Sequence, residues 1–176
     1  IATRLTACQG SNIAQAMLQD PDHELLLKFL ADNGVDMSVD EVKKIFTHSI
    51  LLRIIRNKIR DPLGAITEVA RNIKEKLSTR NIRKELEKHG IQVSAEEVDR
   101  MFLHAHRTHL AVSYRNKPLE GVLTIVRHMR ETLTDEKMLA IIQEEGMPMN
   151  TQKLQEIFTE KRRIHFALNN IGNPLK

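Results

Sequence analysis

Gly90-Ile91-Gln92-Val93-Ser94-Ala95-Glu96-Glu97-Val98-Asp99-Arg100-Met101-Phe102 decides the reading of the whole chain. A glycine that ends one helix is followed by a serine able to cap the next, and a glutamate three residues later completes a capping box. The same pattern recurs 56 residues to either side, with Gly34 and Gly146 matching Gly90, and Phe46 and Phe158 matching Phe102. Ser38 and Asn150 stand where Ser94 stands, and Pro62-Leu63, Pro118-Leu119 and Pro174-Leu175 keep the spacing without insertion. The chain therefore reads as three tandem repeats, 7–62, 63–118 and 119–174, with a lead-in over 1–6 and a tail of 175–176.

Each repeat reads as three helices, A, B and C. Helix A of the first copy is expected over Ser11 to Gln19, where Ile13, Ala14 and Met17 have helical spacing, and Asp20-Pro21 ends it. Helix B opens at Asp22, Ser78 or Thr134, three side chains that accept hydrogen bonds from free backbone amides, and closes at Gly34, Gly90 or Gly146. Its buried stripe is Leu26 and Leu30, Ile82 and Leu86, Met138 and Ile142.

Helix C opens with Ser38, Ser94 or Asn150. Glu41 and Glu97 complete the box in two copies, and Lys153 breaks it in the third. Met37 with Val42, Val93 with Val98, and Met149 with Leu154 have the spacing of a hydrophobic staple. The stripe then runs through Phe46, Phe102 and Phe158 to Pro62, Pro118 and Pro174, so helix C is expected to be continuous. No strand-like alternation competes. The fold class is all-α, the copies stacking as a short solenoid or a compact helical array.

Composition agrees. Of 176 residues 41% are apolar, but there is no Trp, one Tyr and five Phe, so the core is built from Leu, Ile, Val and Met, which suits helix-on-helix packing. The single Cys8 cannot form an internal disulfide, and no apolar run is long enough to span a membrane. A cytoplasmic setting is the default expectation. The opening Ile1 suggests a fragment or processed piece of a longer chain.

The net charge of +4 is not evenly spread: Lys+Arg and Asp+Glu number 7 and 8 in the first repeat, 11 and 7 in the second, and 7 and 8 in the third. Only the middle copy is basic. The helix B–turn–helix C unit is similar to a DNA-binding helix-turn-helix, yet Asp40, Glu41, Lys43 and Lys44 of the first copy become Gln152, Lys153, Gln155 and Glu156 in the third. A surface that tracks phosphates would be basic in every copy. The acidic loop from Asp32 to Glu41 lacks the glycine and alternating oxygen ligands of a calcium loop. His104, His106 and His109 crowd one helix without the i, i+4 spacing of a zinc pair.

No phosphate loop, nucleophile elbow or metal spacing is present, so neither an enzyme nor a cofactor is expected. Two surfaces stand out. Leu51, Leu52 and Ile55 belong to an almost wholly apolar stretch and are candidates for a partner-binding patch. Arg53, Arg56, Lys58 and Arg60, with Arg107, Arg115 and Lys117 and with Lys161, Arg162 and Arg163, are candidates for a basic surface at the C-terminal ends of helix C, where the helix dipole favours cations. The function read from these features is non-enzymatic binding of another macromolecule, first of all a protein, as an interaction module or scaffold. The alternatives are a nucleic-acid binder using the basic middle copy, and self-association.

Overall fold

The structure is a computed structural model that describes residues 16, 17, 19 and 21–171. Among these residues all regular structure is helical, and no helix is long and apolar enough to cross a membrane. The expected helix A of the first copy lies largely outside the described residues, as do Cys8 and Pro174. Contacts divide the chain into two compact units, Ile1–Ser78 with Arg107–Asn116, and Thr79–His106 with Lys117–Lys176.

In the first unit, α1 (His23–Asp32) is opened by Asp22, whose carboxylate accepts from the amides of Glu24 and Leu25 at 3.0 Å. Its apolar face is Leu26 and Leu30, both fully buried. Gly34 adopts φ +76°, and the Val35 amide returns to the Leu30 carbonyl at 2.8 Å, which closes the helix on a left-handed residue. Ser38 and Glu41 then form both halves of a capping box on α2 (Val39–Ile45), and α1 packs on α2.

Helix C is not continuous. Phe46 leaves the helix at φ −101°, ψ 74°, Thr47 is extended, and a second helix, α3 (His48–Asn57), begins. The bend turns Phe46 wholly into the core. It also exposes backbone carbonyls that a straight helix would have used, and these need other donors. Thr108, itself fully buried, reaches the Ile45 carbonyl at 3.5 Å. Asp61 caps α4 (Pro62–Arg71), which packs on α3 and continues through one π-helical turn, Asn72–Lys76. The buried Asn72 amide donates to the Arg115 carbonyl at 3.2 Å. Arg71 reaches back to the Asn33 carbonyl at 2.6 Å, and Lys74 lies 3.9 Å from Glu41.

In the second unit, α5 (Thr79–Lys88) and α6 (Ala95–Met101) pack together, joined by the turn at Gly90 (φ +74°). Ser94 and Glu97 form the capping box of α6. Phe102 breaks the path at φ −111°, ψ 73°, and α7 (His104–Ser113) follows, divided between the two units. α8 (Pro118–Glu131) packs on α5. α9 (Asp135–Glu144) packs on α10 (Thr151–Ile157), and the turn between them contains Gly146 at φ +76°. Phe158 makes a third break at φ −102°, ψ 73°, before α11 (Glu160–Asn169), which lies against both α6 and α8. Ile82, Leu86, Val98, Phe102, Val122, Val126 and Ile164 form the centre of this unit.

Candidate basic binding pocket

α3 ends in a cationic loop. Residues 42–60 carry six Lys and Arg and no Asp or Glu, whereas residues 20–41 carry seven Asp and Glu and one Lys. Between the last turn of α3 and the cap of α4, Arg56, Asn57, Lys58, Ile59, Arg60 and Asp61 line a cavity of about 390 Å³ together with Arg115. This volume lies within the range of ordinary ligand sites.

Asp61 supplies the only carboxylate of the lining, and it is turned to the Gly64 amide at 2.9 Å as the cap of α4. Arg115 is ion-paired with Glu68. Arg56, Lys58 and Arg60 are exposed cations for which the pocket holds no further carboxylate. In their midst Ile59 is 78% exposed, the most open large apolar side chain described. Cations at a helix C-terminus are favoured by the dipole, and hydrated cations around an apolar residue suit an acidic ligand with an apolar anchor.

The other basic candidates are placed differently. Arg53 turns inward: its Nη1 lies 2.7 Å from Nδ1 of His109, its Nε is buried without a hydrogen bond, and burial lowers its pKa. Arg107 is half-buried. Lys117 is exposed and pairs with Glu120 at 2.8 Å, which holds its pKa above the usual value. Lys161, Arg162 and Arg163 lie in the first turn of α11, because the break at Phe158 starts a new helix just before them. The dipole does not favour cations there. Instead Arg162 donates to the Ile157 carbonyl at 2.6 Å, and Arg163 to the Phe158 carbonyl at 3.2 Å while pairing with Asp135. Two of the three therefore serve the break itself.

Leu51, Leu52 and Ile55 are not an exposed patch. Leu51 is 1% exposed, Ile55 is buried and Leu52 half-buried. The apolar surplus of α3 is absorbed by the interior of the first unit, as expected for a helix that is apolar nearly all round. Ile59 carries no signal in the sequence, because it stands alone between Lys58 and Arg60, outside any apolar periodicity.

The histidines occupy separate environments. His106 is buried, its ring hydrogen-bonds the Met101 backbone, and its Nδ1 has no partner. Burial lowers its pKa, the Met101 bond opposes this, and His165 and Lys161 add to the lowering. His165 lies 3.0 Å from the Asn169 side chain.

No protein-family model, curated protein or solved structure matches this chain.

Proposed function

We propose that the chain is a non-enzymatic binding module of three 56-residue helical repeats, stacked as a short solenoid, that grips an acidic segment of a partner protein at the pocket around Ile59. The observation that carries the binding reading is the convergence of Arg56, Lys58 and Arg60 on one exposed isoleucine. Such a combination matches a peptide with carboxylates flanking an apolar residue: the cations raise the encounter rate, and the apolar contact supplies desolvation.

Four features support the repeat reading. Helices begin at His23, Thr79 and Asp135, at Val39, Ala95 and Thr151, and at His48, His104 and Glu160, always 56 residues apart. Each path breaks at the equivalent phenylalanine. Thr79 donates to Asp99 at 2.5 Å, and Gln155 donates to Asp135 at 3.1 Å, so one pair of positions is bridged twice with donor and acceptor exchanged. Arg71 on Asn33 and Arg130 on Gln92 each bring a helix A back onto the turn of the preceding copy. Separate three-helix bundles would not need that contact.

The test is anisotropy with a labelled acidic peptide carrying a central leucine. Arg56→Glu/Lys58→Glu and Ile59→Ser should each weaken binding about tenfold or more. Binding of a generic duplex that falls steeply with salt and ignores Ile59→Ser would instead favour the nucleic-acid reading. No retention of either probe at low salt would overturn the assignment of this pocket.

A further inference from the structure

The cavity at the end of α3 is completed by one residue from far along the chain. Six of its seven lining residues are consecutive, Arg56 to Asp61, and the seventh is Arg115, just past α7. The main chain of Arg115 is anchored: Asn72, 3% exposed at the start of the π-helical turn, donates its side-chain amide to the Arg115 carbonyl at 3.2 Å. Its side chain is held by Glu68, four residues before Asn72 on α4, whose Oε2 accepts from Nε. The arginine and the glutamate side chains are 39% and 33% exposed.

The helix pattern does not ask for this pair. Fifty-six residues before and after Arg115 stand Ile59 and Ile171, and 56 residues after Glu68 stands Thr124. A pair so exposed adds little to stability. Its effect on the cavity is larger, because a guanidinium has five donors that match a carboxylate two at a time, and Glu68 already takes Nε. An arginine anchored through its main chain also has less freedom to lose on binding.

We infer that Glu68 is a built-in competitor at the basic pocket: its carboxylate holds Arg115 in the free chain, the ligand's carboxylate displaces it, and Glu68 thereby limits the affinity for acidic ligands. The exchange replaces one carboxylate by another on the same guanidinium, and no proton is transferred. It costs the chain little, because the pair given up is partly hydrated. A ligand presenting only an apolar group would leave the pair closed. The inference deepens the acidic-peptide reading of this pocket and rests on it.

The experiment is anisotropy on the full chain with the same labelled acidic peptide, comparing wild type, Glu68→Gln, Arg115→Gln and the double variant, each checked by a thermal melt. Glu68→Gln should tighten binding about threefold or more, and Arg115→Gln should weaken it about tenfold. The double variant should bind no tighter than Arg115→Gln, because the competitor acts only through that arginine. In the wild-type chain the Nε–Hε NMR signal of Arg115 should shift as peptide is added. A folded Glu68→Gln variant that binds equally or more weakly would overturn the inference. So would tightening that persists in the double variant, since Glu68 would then act only as a general negative charge. An Arg115 signal that stays in place at saturating peptide would do the same. Those results leave the pocket itself standing wherever Arg56→Glu/Lys58→Glu and Ile59→Ser still weaken binding. No binding by wild type and Glu68→Gln alike would sink both readings.

Discussion

Arg53 and His109, 56 residues apart, meet side chain to side chain, with Nη1 of the arginine 2.7 Å from Nδ1 of the imidazole. A guanidinium only donates, so Nδ1 must accept and the ring proton must sit on Nε2. Nitrogen-detected NMR of the imidazole is expected to show an unprotonated Nδ1 at neutral pH. A ring protonated at Nδ1 would mean that this contact is absent in solution. His109→Ala should lower stability by about 1–2 kcal/mol, since it removes an acceptor from a partly buried cation.

His106 makes stability depend on pH in a known direction. Its folded-state pKa is lowered by burial, so the unfolded chain binds the proton more tightly. The stabilisation is complete above the unfolded value, about 6.5, and is lost as pH falls toward the lower folded value. The charged groups that depress it are Lys161 and His165 on α11, and a proton on the buried Nδ1 would find no acceptor. Unfolding free energy should be lower at about pH 5 than at about pH 7.5, and His106→Gln should flatten the difference. An unchanged slope in that variant would remove His106 as the cause.

Gly64 is required by space rather than by backbone conformation. A Cβ there would stand 2.0 Å from Oδ2 of Asp61, the carboxylate that caps α4. Gly64→Ala should push the cap away and cost about 1 kcal/mol, the same as Asp61→Ala. The double variant should then lose little more than either single one. Full additivity in that cycle would show that the two residues do not act through one contact.

Gly34, Gly90 and Gly146 present the opposite case. Nothing lies within 4 Å of a Cβ built on any of them, yet each has φ between +74° and +76°. Alanine at each should cost about 1–2 kcal/mol from the left-handed backbone alone. Asparagine, which tolerates that region, should cost less, and thermal melts of the Ala and Asn variants separate the two. Equal losses would point to a steric cause.

The all-helical class was legible because its signals are local. Ser38 with Glu41, and Ser94 with Glu97, report a helix start within four residues of chain, and each glycine reports its end. The break at Phe46, Phe102 and Phe158 was not legible, since the apolar stripe runs on through those residues with helical spacing. Side-chain donors from beyond the break occupy freed carbonyls at two of the three: Thr108 on Ile45, and Arg162 on Ile157 with Arg163 on Phe158. The cations of the basic pocket could be named from sequence, but not sorted. Arg56, Lys58 and Arg60 share a cavity with Arg115, whereas Arg53 and Arg163 are drawn away by His109 and Asp135.

The sequence by itself determined where helices start and stop, through caps and glycines whose energetics are settled within one turn. Only the tertiary structure decided which apolar and charged side chains are spent inside. Leu51 and Ile55 entered the core and Ile59 did not, because burial depends on what packs against a residue from elsewhere in the chain.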